Sequence, residues 1–102
     1  MIAALCVRGP RWDDSQPIVG QKGFAGHLEW VDEHRDGAAA TVVEVAPFHD
    51  PGLPFDDEVI GLALLDVESV EAGRAVVERD PLAGSGVFAY RVYEWRGEQL
   101  RR

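Results

Sequence analysis

"ERDPLAGSGVFAYRVYEW", residues Glu78 to Trp95, holds a helix-to-strand junction around which the rest of the chain can be ordered. Pro81 disfavours helical geometry at Asp80, so the helix leading into it stops there. "GSGVF" does not open a helix, which removes the reason to read its glycines as a phosphate cradle, and it reads as a flexible turn into the last strand. Val87 to Trp95 then alternates as a strand, with Tyr93 and Trp95 on one face and Tyr90 on the other. Two readings of Asp80 stand at this point: it initiates an Asp-Pro turn, or it serves a group that the fold brings to it.

Working back from the junction, Ser69 is placed to cap a helix running through Val70, Val76 and Val77. Gly73 weakens that helix unless close packing requires it. The aliphatic run Val59 to Val67 before it reads as a central strand, and a Pro- and Asp-rich loop from Pro47 to about Asp56 separates it from "AAATVVEVA". In that stretch Thr41, Val43 and Val45 alternate with Val42 and Glu44, a strand pattern.

Nearer the start, Ile2 to Val7 reads as a buried strand, followed by the punctuated loop "RGPRWDDSQP". From about Gln21 to Asp36, Phe24, Leu28 and Val31 recur at helical spacing, and Gly37 follows as a stop. His27 lies on the same stripe.

The element order is therefore β-α-β-β-α-β, an α+β fold of the ferredoxin-like split type, with a four-stranded antiparallel sheet and two helices on one face. Residues 1–96 form a single domain and 97–102 a charged tail. The strands are apolar on both sides, so the sheet face without helices implies a partner, most simply a second copy packed sheet to sheet as a homodimer.

The chain has 102 residues, 46% of them hydrophobic and 27% charged, with a formal net charge of −8. That is the balance of one globular domain, and its scattered basic residues argue against nucleic-acid binding. The opening apolar run is too short for a signal-peptide core or a membrane span, which makes a cytoplasmic location the expectation. Cys6 is the single cysteine, so no internal disulfide can form, and on a buried strand it reads as a small apolar residue.

His27 and Asp80 carry the chemistry. A histidine on a sheet-facing stripe is either a satisfied structural residue or a catalytic one, and burial demands a hydrogen-bond partner in both cases. In a split β-α-β-β-α-β fold the helices lie side by side, so the end of the second approaches the middle of the first, within reach of His27. A carboxylate there would orient the ring, fix its tautomer and favour the imidazolium, as a general acid or base requires. Trp12, with Asp13, Asp14 and Ser15, forms either a pocket wall or a staple over the core edge. His34 and His49 with Asp50 match no compact zinc spacing, so no metal site is expected.

With His27-Leu28 in an amphipathic first helix and "DPLAGSGVFAYRVYEW" at the end, the chain resembles the YCII-related domain family of dimeric α+β barrel proteins. "GPRWDDSQP" and "GFAGH" are similar to a subgroup in which a Gly-Pro-x-Trp-Asp loop precedes the helix. The resemblance spans about Met1 to Trp95 and implies that His27 and Asp80 are that family's histidine and aspartate pair. It departs at Ala46-Pro47, where the family has Gly-Pro, and at Glu94, where it has proline. The substrate-binding set expected beside the pair is Trp12, Asp13, Ser15, Trp30 and Pro47.

Related barrel proteins include muconolactone isomerases, a dehydrochlorinase of a chlorinated hydroquinone, quinone-forming monooxygenases and heme-degrading enzymes, among which a fold cannot choose. The expected function is a cofactor-independent isomerase or lyase that moves protons on a small cyclic or aromatic metabolite. Two alternatives stand beside it: a non-catalytic module that binds a small molecule or stabilises a partner, and a cofactor-free oxygenase of phenolic substrates.

Overall fold

The computed structural model describes residues 1–36, 42–47 and 59–95. The expected stop at Gly37, the first residues of the second strand, the loop carrying His49 and the tail 97–102 lie outside them. The chain runs β1 (Ile2–Arg8), α1 (Phe24–Asp36), β2 (Val42–Pro47), β3 (Val59–Leu65), α2 (Val70–Val77), α3 (Pro81–Ser85) and β4 (Phe88–Glu94), with one 3-10 turn at Ile18–Gly20. The strands form one antiparallel sheet in the order β2-β3-β1-β4, an arrangement compatible with the ferredoxin-like split.

Strand alternation sorts the sheet into two faces. Ile2, Ala4 and Cys6 pair across to Leu65, Ala63 and Gly61, and all six are buried. Of these, Ile2, Ala4, Ala63 and Leu65, with Val42 and Val92, meet Trp30 and Val31 of α1 and Val76 and Val77 of α2 in the main core. Ala3 and Leu5 pair with Leu64 and Leu62 on the opposite, half-buried face.

The elements end where side chains dictate. Ser69 accepts a hydrogen bond from Ala72 N at 3.1 Å and caps α2. Gly73 earns its place in that helix by closeness, since a Cβ there would lie 2.8 Å from Ile2 Cγ2 and 3.2 Å from Val92 Cγ1. Trp30 Nε1 donates to Val76 O at 3.1 Å and joins the two long helices through the core.

Two expectations from the sequence are corrected. The buried stripe of α1 is His27, Trp30, Val31 and His34, whereas Leu28 is 48% exposed. The helical spacing is the same, but the face is rotated toward the large Trp30 ring, which buries more apolar area than Leu28. The turn expected over the Gly84 and Gly86 region is instead the short helix α3, with Pro81 in its first turn and Gly86 ending it in the left-handed region at φ 86°.

Candidate functional site: a buried histidine and carboxylate under an apolar cavity

α3 explains the carboxylate. Asp80 has extended backbone geometry, φ −62° and ψ 121°, and its Oδ1 accepts from Leu82 N at 3.0 Å, so it is the N-cap of α3. Leu82, 1% exposed, anchors this short helix in a second apolar cluster with Cys6, Val87 and Phe88. Gly26 of α1 lies against Pro81, where even an added Cβ would be only 3.4 Å from the proline ring. That close approach of α1 to α3 delivers the next residue, His27, to Asp80.

His27 Nδ1 and Asp80 Oδ2 are 2.7 Å apart, and Asp80 is fully buried. The same Oδ2 accepts from the Tyr90 hydroxyl at 2.6 Å. Asp80 thus meets three donors, Leu82 N–H, Tyr90 O–H and His27 Nδ1–H. A carboxylate accepts all three at once, and the arrangement fixes the neutral imidazole as the Nδ1–H tautomer. Nε2 is then the ring nitrogen left to meet a substrate.

The ring has an aromatic setting. Phe24, Trp30 and Phe88 surround His27 at centroid distances of 5.5, 5.8 and 5.1 Å, with Phe88 edge-on. These contacts restrict ring rotation and keep water from the hydrogen bond to Asp80.

Cys6 lies beside Tyr90 as its cross-strand partner. Burial, reinforced by the Asp80 charge, pushes the thiol up to about 12, although the Tyr90 contact opposes this. Burial likewise raises the Tyr90 phenol well above its usual range, helped by Cys6 and Asp80. Both groups keep their protons at neutral pH, so Tyr90 serves as a donor and Cys6 is no thiolate nucleophile.

His27, Tyr90 and Cys6 line a cavity of about 300 Å³, with Phe24, Leu28 and Val31 among its apolar walls and Asp32 and Arg35 also on its lining. The volume lies at the small end of the range for ligand sites and suits one ring with a few substituents.

The structure brings together His27 and Asp80 as expected, but distributes the other expected residues differently. Trp12 does not line the cavity; it stacks on Phe88 at 6.3 Å, with the Arg8 guanidinium 5.5 Å from its own ring. Phe88 passes that packing on to His27. Asp13 turns to Ser15, accepting from its hydroxyl at 2.6 Å and its N–H at 2.9 Å, and these bonds lower the Asp13 pKa. Trp30 belongs to the core. Pro47 pairs in register with Gly61, a cavity residue, and its side chain is outside the described set. For Trp12, Asp13 and Ser15 the reason is that the 9–22 loop closes on itself: the buried Gln21 side chain accepts from Asp13 N at 2.9 Å and donates to Asp13 O at 2.8 Å. His34 is buried, and its Nδ1 donates to Trp30 O at 3.0 Å, a role within its own helix.

Tyr90 is the site residue that sequence reasoning left unassigned. The available signal was its face: alternation sets it opposite Tyr93 and Trp95, toward the helices, where a phenol must find a partner.

The fold and site together define a small α+β protein with a buried histidine and carboxylate pair at an apolar cavity. The structure is similar to that of 5-chloro-2-hydroxyhydroquinone dehydrochlorinase from Burkholderia phenoliruptrix AC1100, solved in complex with 2,5-dihydroxybenzoquinone. The TM-score is 0.63 at 21% sequence identity, over 97% of this chain and 98% of that one. The two share a fold. No family model matches the sequence, and no curated protein matches it. Among the described residues no helix is long and apolar enough to cross a membrane.

Proposed function

We propose that this is an enzyme that moves protons on a small cyclic or aromatic metabolite, as an isomerase or lyase, with its own side chains supplying the acid and base. The observation that carries this reading is the 2.7 Å contact of His27 Nδ1 with Asp80 Oδ2 at an apolar cavity. Nε2 of His27 takes a proton from a carbon or hydroxyl next to a carbonyl or phenol, and Asp80 stabilises the imidazolium that results. Returning the proton to another atom gives an isomerase. Expelling an anionic leaving group with the released electron pair, while the imidazolium yields its proton to solvent, gives a lyase.

The fold shared with a dehydrochlorinase of a hydroxyhydroquinone supports a ring-sized oxygenated substrate. The motif around His27-Leu28 and Asp80-Pro81 supports membership of the YCII-related family of dimeric α+β barrels. We place the protein in the cytoplasm as a homodimer joined through the open sheet faces, where Ala3, Leu5, Leu62 and Leu64 stand on adjacent strands.

The test is proton exchange on substituted hydroquinones and benzoquinones in D₂O, followed by NMR, for the native protein and for His27→Gln. Catalysed exchange or elimination that falls about 10²- to 10⁴-fold in a folded variant supports the enzyme. Ring ligands that bind but never exchange, equally in both proteins, would replace it with a binding module. Oxygen uptake in the same assay would mark an oxygenase.

A further inference from the structure

We propose that Tyr90 is a positioning residue for His27, acting through Asp80: its hydroxyl holds Oδ2 in place and limits how strongly that oxygen attracts the imidazole proton. The inference rests on the acid and base reading given above. It starts from the two donors that share one oxygen, Tyr90 Oη at 2.6 Å and His27 Nδ1 at 2.7 Å.

A buried carboxylate spreads its charge over whatever donors reach it. Oδ1 is already occupied by Leu82 N at 3.0 Å, so Tyr90 and His27 divide Oδ2 between them. Each bond that Tyr90 makes leaves less negative charge to hold a proton on His27. Without the hydroxyl, Oδ2 would have His27 alone, the imidazolium would be favoured, and less of the ring would be present as free base at neutral pH. A phenol meets this need well because it cannot ionise in such a site and so remains a donor. Raising of the Tyr90 phenol by its burial is consistent with that constancy.

The titratable neighbours do not compete for this role. From β1, Cys6 faces Tyr90 as its cross-strand partner, a protonated thiol. From β3, Gly61, Leu62 and Ala63 contribute no ionisable group to the cavity lining. On α1 itself, Asp32 and Arg35 line the same cavity, one carrying each sign. From α3 the facing group is the Leu82 N–H, and from β4 it is Tyr90. Geometry also locks the hydroxyl: Trp30 and Phe88 flank the Tyr90 ring at 6.4 Å each. Tyr90→Phe removes one oxygen atom and retains that packing.

The experiment is ¹⁵N and ¹H NMR of the imidazole across pH 5 to 10 in three full-length chains: native, Tyr90→Phe and Asp80→Asn, with amide dispersion confirming each fold. Tyr90→Phe is expected to move the His27 titration midpoint up by about half a pH unit or more, a threefold or larger gain in proton affinity. Asp80→Asn is expected to move it down by about one unit. If Asp80→Asn lowers the midpoint and Tyr90→Phe leaves it in place, Tyr90 has no such role and the His27 and Asp80 pair stands. If neither variant moves it, the acid and base reading falls as well. A second measurement needs no variant: the native protein should show an exchange-protected Tyr90 hydroxyl proton with a cross-relaxation peak to His27 Nδ1–H. Its absence at low temperature would overturn the shared-oxygen arrangement.

Discussion

His27 Nδ1 lies 2.7 Å from Asp80 Oδ2 across 53 positions of sequence, and the same Asp80 side chain caps α3 through Leu82 N. One carboxylate therefore does two things: it starts a helix and it orients an imidazole. The coupling means that the site and this part of the fold cannot be perturbed separately, except by substitutions that keep the capping oxygen.

Asp80→Ala removes both roles. It uncaps α3, at about 0.5–2 kcal/mol, and leaves the buried Tyr90 O–H and His27 Nδ1–H without an acceptor, at about 1–3 kcal/mol each. A loss of about 2.5–8 kcal/mol is expected in urea unfolding. Asp80→Asn retains a carbonyl oxygen for Leu82 N and is expected to lose clearly less. Equal losses in the two variants would show that the cap contributes nothing.

Gly73→Ala sets intrinsic helix propensity against packing. Alanine favours a helix by about 1 kcal/mol over glycine. Its Cβ, however, would stand 2.8 Å from Ile2 Cγ2 and 3.2 Å from Val92 Cγ1. The clash falls where two strands and a helix meet, so a net loss of about 1–3 kcal/mol is expected. A midpoint in urea equal to or above the native one would mean that the sheet yields there.

Alkaline pH should unfold the protein, and Cys6 sets where this begins. The folded-state thiol is raised from 9.0 to about 12, so the native state keeps a proton that the unfolded chain loses. The unfolded state binds fewer protons in that window, and stability is complete below pH 9 and falls as pH rises toward 12. Tyr90 adds to the loss above pH 10 by the same reasoning. Stability measured from pH 8 to 11 should slope downward, and Cys6→Ala should flatten the slope even though it lowers the starting value. A slope unchanged in Cys6→Ala would assign the alkaline transition elsewhere. At pH 8 a thiol titrating near 12 is about 10⁻⁴ thiolate, so a disulfide reagent should label native Cys6 slowly.

Leu64 tests the proposed dimer. It pairs with Ala3 on the open sheet face, away from the helices and outside the cavity lining. Leu64→Lys would place a charge inside a sheet-to-sheet interface and should convert a dimer into a monomer of 11.2 kDa with little change in the fold. Sedimentation of the native protein as a monomer at micromolar concentration would remove the dimer from the reading.

The β-α-β-β-α-β order, the capped start of α2 at Ser69 and the break before Pro81 follow from local rules, because alternation, helical spacing, caps and proline geometry act within a few residues. The His27 and Asp80 pair was legible too, as a buried imidazole needs a partner and an Asp-Pro junction supplies one near the second helix end. α3 was not, since five residues carry no readable period and the helix is held by Leu82 in the second cluster and by the Asp80 cap. The rotation of α1 toward Trp30 and away from Leu28 depended on the shape of the surface it met. The Trp12 loop left the cavity because Gln21, eight positions on, binds the backbone of Asp13. Tyr90 reached Asp80 through the register of β4 on β1 and the placement of α3 above it. Sequence alone determined which segments became strands and the two longer helices and which two residues had chemical reason to meet; only the tertiary structure decided which third group shared their oxygen, because a hydrogen bond of 2.6 Å depends on where three separate elements come to rest.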